Sequence, residues 1–149
     1  MKKIWQGKKN ILLLFNCGPF SVCKDLSYHS SPCRGRKIYE PPRYMSITTA
    51  VSQLIETEAN RQQGILNPNT TLAIALSRVG GGQDNERIVA GTLQELLQHP
   101  PESYGQPLHS LVIVGKRLHH LEVEYASEFA IDPQTWRNVA EKAYNCILE

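Results

Sequence analysis

From Ser46 onward the apolar residues fall into clear periods. Ile47, Ala50, Val51, Leu54, Ile55 and Ala59 recur at the three- and four-residue spacing of a helix with one buried face. Ser46 precedes them as an N-cap, because its hydroxyl can accept from the free amides of the first turn. Gly64 is the expected C-terminal stop. Leu72–Val79 is almost unbroken apolar sequence until Ser77-Arg78, the pattern of an inner strand covered on both faces. Gly80-Gly81-Gly82 and Gln83-Asp84-Asn85 turn the chain, and Arg87–Gly91 is the expected return strand. Thr92-Leu93-Gln94-Glu95 has the spacing of a capping box, and its helix must stop before Pro100-Pro101. A polar loop that reads as mobile leads to Pro107, followed by a short buried strand, Leu111–Val114. His119–Ala130 predicts a helix with Leu121, Tyr125 and Phe129 on its apolar stripe and Glu122, Glu124 and Glu128 turned outward. Asp132-Pro133 opens the last helix, whose apolar face is Trp136, Val139, Ala140, Ala143 and Ile147.

The chain before this region behaves differently. Residues 1–33 sustain neither period; Ile11–Phe15 is one candidate short strand, and Asn16–Cys33, rich in Ser, Cys, Pro and Gly, reads as loop. Composition changes near Arg34. The chain therefore divides into an irregular or disordered head, 1–33, and a half-domain, 34–149. Between Arg34 and Tyr44, Pro41-Pro42 forbids helix and holds Glu40 extended. The segment reads as a strap whose Tyr39 and Tyr44 pack on the domain, with recognition by Arg34, Arg36 and Lys37 as the alternative.

Bulk properties narrow this picture. A chain of 149 residues, 41% hydrophobic and 20% charged, is an ordinary soluble domain large enough to bury a core. The net charge of +2 hides an asymmetry: residues 1–37 carry eight bases against one acid (+7), and the remainder eight against thirteen (−5). A basic head suits a nucleic-acid or membrane arm, but this one has no basic repeat, and neither partner is expected. Its lysines and the run Ile11–Phe15 are too short for a secretory signal, and no apolar run approaches the ~20 residues that span a bilayer. Cys17, Cys23 and Cys33 match no zinc spacing, and Cys146 reads as a small buried apolar residue. Free thiols in a reducing, cytoplasmic compartment and no metal are the expectation.

Little chemistry shows in these residues. There is no Gly-x-Ser-x-Gly, no useful carboxylate pair and no dinucleotide fingerprint, so no catalytic residue is assigned. The glycine triplet remains open between a flexible hairpin and a backbone surface for a ligand. His109, just before a buried strand, remains open between a structural hydrogen-bonding residue and a ligand contact. His99, His119 and His120 are expected at the surface.

Three stretches carry a resemblance: GRKIYEPPRYMS (Gly35–Ser46), IALSRVG with IVAGTLQEL (Ile74–Gly80, Ile88–Leu96), and PLHSLVIVGKRLHHLEVEY (Pro107–Tyr125). From Arg34 onward the chain resembles the C-terminal half of the diphthine synthases, which are tetrapyrrole-methylase-like methyltransferases. The resemblance implies an α+β fold of the α/β type: a mixed, mostly antiparallel sheet with packed helices. It also implies an S-adenosyl-L-methionine cofactor bound in an interdomain cleft, a homodimer, and elongation factor 2 as the protein substrate, methylated at its modified histidine in diphthamide biosynthesis. In the family, the residue after the arginine of the Arg-x-Gly turn and the histidine of the Pro-x-His segment contact the cofactor. Here these are Val79 and His109.

The departure is at the start. The family's N-terminal domain has no counterpart here, and residues 1–33 resemble none of it. The expectation is a truncated form lacking the other half of the site and without activity by itself. The alternative is a non-catalytic fragment keeping a dimerisation or elongation-factor-binding surface.

Overall fold

The computed structural model describes residues 44–146 apart from Gln83, together with the backbone of Leu13–Cys17. The strap through Tyr39, the rest of the head and Ile147 lie outside the described residues. Four strands, β1 (Leu13–Cys17), β2 (Leu72–Ser77), β3 (Arg87–Thr92) and β4 (His109–Ile113), form one sheet in the order β1-β4-β2-β3. Every ladder is antiparallel, and one parallel bridge, Ala90 to Ala130, extends the sheet past β3. Helices α1 (Ile47–Arg61) and α2 (Leu93–Gln98) precede the 3-10 turn Pro101–Tyr104; α3 (His120–Ser127) and α4 (Pro133–Tyr144) follow β4. This is the α+β arrangement the sequence implied. The candidate strand of the head is displaced by two residues, to Leu13–Cys17.

The N-caps fall where the sequence placed them. The Ser46 hydroxyl accepts from the Thr49 amide at 3.2 Å. Thr92 Oγ1 accepts from the Glu95 amide at 3.2 Å while a Glu95 carboxylate oxygen accepts from the Thr92 amide at 2.8 Å. Asp132 accepts from the Gln134 amide at 3.0 Å. Its hydrogen bonds to Thr135 and then to Gln134 hold the carboxyl below the usual carboxylate range.

Alternate residues of β2 point to opposite faces, and a core lies on each. Ala73 and Ala75 join Leu111 and Ile113 of β4 under α1 and α2, against Ile47, Val51, Leu93 and Leu96. Leu72 packs on the other side with Ala90, Val123, Trp136 and Ala140. β2 is thus the inner strand its apolar run predicted. Trp136 is fully buried, and its indole N–H donates to Val123 O at 3.2 Å, which satisfies the one polar group that its burial would strand.

Four local expectations change. α1 ends at Gln62, whose left-handed φ of 51° lets its amide reach Glu58 O; Gly64 comes two residues too late to be the cap. β2 stops at Ser77, because Arg78 adopts φ 48° and leaves the ladder. The loop before Pro107 is anchored: Tyr104 is buried, and its hydroxyl donates to Leu96 O at 2.6 Å. That bond serves a carbonyl at the end of α2 which Pro100, lacking an N–H, cannot satisfy. Finally, α3 turns its small face inward. Val123, Ala126 and Ser127 are buried, while Leu121 and Tyr125 are exposed. Val123 and Ala126 pack with Trp136 and Ala140 of α4, and Leu121 and Tyr125 are left outside.

Candidate functional site

Antiparallel register brings the two candidate residues to one end of the sheet. Ser77, the last residue of β2, lies opposite both His109 on β4 and Arg87 on β3; His109 also lies opposite Cys17 on β1. Val79 follows two residues beyond Ser77. The Val79 turn and the start of β4 therefore meet at this end, while Thr92 and α2 occupy the opposite end beside Leu72.

The two loops are tied together by hydrogen bonds. Ser77 Oγ donates to Gln106 O at 2.8 Å. Arg78 uses its Nε to donate to Pro107 O at 3.0 Å, and its amide to donate to Leu108 O at 3.4 Å. Arg78 O then accepts from the Gly81 amide at 2.9 Å, closing the turn over Val79. A Cβ on Gly81 would sit 2.9 Å from that same oxygen, so a side chain there would force the turn open. Gly80, at φ +86°, directs its amide to a Glu86 carboxylate oxygen at 2.9 Å. The glycine loop is thus an ordered hairpin with its Gly80 and Gly81 amides already committed.

Two residues at this end carry left-handed backbone without being glycine: Arg78 (φ 48°) and Leu108 (φ 94°). A leucine at such a φ is strained by about 1–3 kcal/mol and persists only where neighbours impose it. The consequence is a sharp division of the chain. Leu108 is 50% exposed and Val79 60%, whereas His109 between their loops is 6% exposed.

His109 is the chemically distinctive residue. Its Nε2 lies 3.3 Å from Gly105 O, while its buried Nδ1 has no hydrogen-bond partner among the described residues. A carbonyl only accepts, so the neutral ring carries its proton on Nε2 and presents Nδ1 as a bare acceptor. A ligand that fits here must donate a hydrogen bond to Nδ1. Val79 and Leu108, both exposed, lie on the two loops that meet at this end.

His119 and His99 take structural parts. His119 Nδ1 accepts from the Leu121 amide at 3.3 Å as the N-cap of α3. His99 stacks edge-on against Tyr104. Among the described residues no cluster of His, Cys, Asp and Glu could hold a metal ion. An open groove of about 560 Å³ lies elsewhere, between the end of α1 and the loop through Leu66 and Pro68. It contains none of the residues at the His109 end, and we place the candidate site by the orphaned nitrogen and not by that volume.

No family model matches the chain. The "Diphthine methyl ester synthase" of Neurospora crassa is 44% identical over 111 residues, covering 74% of this chain and 37% of the relative. The protein of the same name from Emericella nidulans is 47% identical over 109 residues, covering 70% and 36%. Over this span the chain is similar to the diphthine methyl ester synthases. A crystal structure described as a diphthine synthase of Entamoeba histolytica superposes with a TM-score of 0.55 at 31% identity, over 63% of this chain and 35% of that one. The chain spans little more than a third of the length of the relatives it matches.

Within this diphthine-synthase-like domain, sequence reasoning selected Val79 and His109, and the fold carries both to one edge. It did not find Ser77, Arg78 or Leu108. No composition signal marks Arg78 and Leu108, because the left-handed backbone falls on residues that do not favour it, and the Ser77 bond reaches a carbonyl 29 residues away.

Proposed function

We propose that this domain forms one wall of an S-adenosyl-L-methionine site in a diphthine-synthase-type methyltransferase, with His109 and Val79 as its cofactor contacts. One observation carries the assignment: the buried, unpartnered Nδ1 of His109 at a sheet end rimmed by exposed apolar side chains. Buried polar atoms are nearly always satisfied, so an orphaned acceptor reads as a position completed by a ligand. The cofactor fits the chemistry present. Its amino and hydroxyl groups can donate to Nδ1, and Val79 offers an apolar surface to its ring. When bound, the cofactor supplies an electrophilic methyl group on a sulfonium.

The residues of this chain then hold and orient. That suits a displacement in which alignment of nucleophile, methyl and sulfur supplies most of the rate. Kinship with the diphthine methyl ester synthases supports a place in diphthamide biosynthesis. We assign the modified histidine of elongation factor 2 as the substrate, a homodimer as the working form and the cytoplasm as its location. The test is titration calorimetry of the chain with S-adenosylmethionine. Binding that His109→Ala weakens at least tenfold is expected; absence of heat from the unsubstituted chain overturns the cofactor reading.

A second reading claims less for the 36–37% of the relatives that the chain spans. In it, the domain is a non-catalytic module that retains a surface for dimerisation or for elongation factor 2. Transfer of a labelled methyl group from S-adenosylmethionine to unmethylated elongation factor 2 by this chain alone would sink it.

A further inference from the structure

We propose that Arg78 is the positioning residue of this site, a role that rests on the cofactor-binding reading of His109 and Val79. Arg78 sits between Ser77, which lies opposite His109 in the ladder, and Val79. Its Nε donates to Pro107 O at 3.0 Å and its amide to Leu108 O at 3.4 Å. The two peptide groups it grips flank the strained Leu108, whose φ of 94° separates an exposed leucine from a buried histidine. Ser77 adds a third tie, from Oγ to Gln106 O at 2.8 Å. Arg78 thus couples, through its side chain to Pro107 and its backbone amide to Leu108, the turn that presents Val79 to the bend that buries His109.

An exposed arginine that served only solubility would keep its donors in water. This one spends a rigid, directional donor on a backbone carbonyl, and its own backbone is left-handed at φ 48°. A lysine keeps the charge and a donor but not the planar, directional Nε–H, so its hold on Pro107 O is looser. Arg78 touches neither reacting group nor ligand; it acts through Leu108 on the orientation of His109.

The experiment compares Arg78→Lys, Arg78→Ala and the remote destabilising control Thr92→Ala in the full 149-residue chain. Long-range proton–nitrogen NMR reads the His109 ring, and calorimetry reads S-adenosylmethionine affinity. In the unsubstituted chain the ring is expected in one tautomer, protonated on Nε2. Both Arg78 variants are expected to move the His109 nitrogen signals toward tautomer averaging and to weaken cofactor binding about tenfold; Thr92→Ala moves neither. Should Arg78→Ala fail to fold, Arg78→Lys carries the comparison. Unchanged His109 signals in Arg78→Lys overturn the proposal, whether or not the cofactor binds. Altered His109 signals in a chain that shows no cofactor binding even when unsubstituted retain the positioning role and remove the cofactor reading.

Discussion

The two ends of the sheet are built on opposite rules. At the Thr92 end every polar group is matched: the Thr92 hydroxyl, the Thr92 amide and the Glu95 carboxylate exchange hydrogen bonds, and the residues beside them are buried. At the His109 end an imidazole nitrogen is buried unmatched, two residues hold left-handed backbone without being glycine, and two apolar side chains face outward. The same four-stranded ladder supports both. One end is arranged to stay folded, and the other keeps strain and an unmet hydrogen bond that a ligand can satisfy. Substitutions at the first should therefore alter stability, and those at the second should alter binding.

The largest effect on stability is expected from Tyr104→Phe. It strands Leu96 O at the end of α2, and about 1–3 kcal/mol should be lost in urea unfolding. Burial also pushes the Tyr104 phenol well above its ordinary value of 10.0. A raised folded pKa means that the stabilisation is complete below pH ~10 and is lost as pH climbs toward the folded value. The unsubstituted chain should weaken steeply in that alkaline window, and Tyr104→Phe should flatten the slope. An identical slope in both would exclude Tyr104 as its source.

Thr92→Ala comes next. Losing the cap should cost about 1 kcal/mol, seen as a lower unfolding midpoint, with S-adenosylmethionine affinity unchanged. A matching loss of affinity would mean that the two ends are coupled and would break the contrast drawn between them. The smallest effect belongs to Leu108→Gly. Relief of the φ 94° strain is opposed by the added freedom of the unfolded glycine, so stability should hold or rise by at most about 1 kcal/mol. Cofactor binding should nevertheless fall, because a relaxed Leu108 position no longer dictates where His109 points. A clear loss of stability would show that Leu108 is not strained.

Legibility followed the range of the forces. Ser46, Thr92 with Glu95, and Asp132 with Pro133 act on amides within three residues, and each starts the helix that its spacing announced. The apolar run of β2 also read correctly, because coverage on both faces leaves no polar alternation to misplace. The stripe of α3 did not. Leu121 and Tyr125 satisfy helical spacing, yet Val123 and Ala126 pack against α4 instead, and periodicity cannot weigh one neighbour against another. The loop through Tyr104 looked loose because its anchor, Leu96 O, is a backbone atom eight residues away.

By itself, the sequence determined where helices begin, which strand is innermost, and, through resemblance, that Val79 and His109 deserve to be considered together. Only the tertiary structure decided that they share one end of the sheet, that Nδ1 of His109 lacks a partner, and that Arg78 grips the bend at Leu108. Caps and apolar runs are short-range patterns written in residue type. Register, burial of a single nitrogen and imposed backbone strain come from segments some thirty residues apart pressing on one another, and no local pattern encodes that.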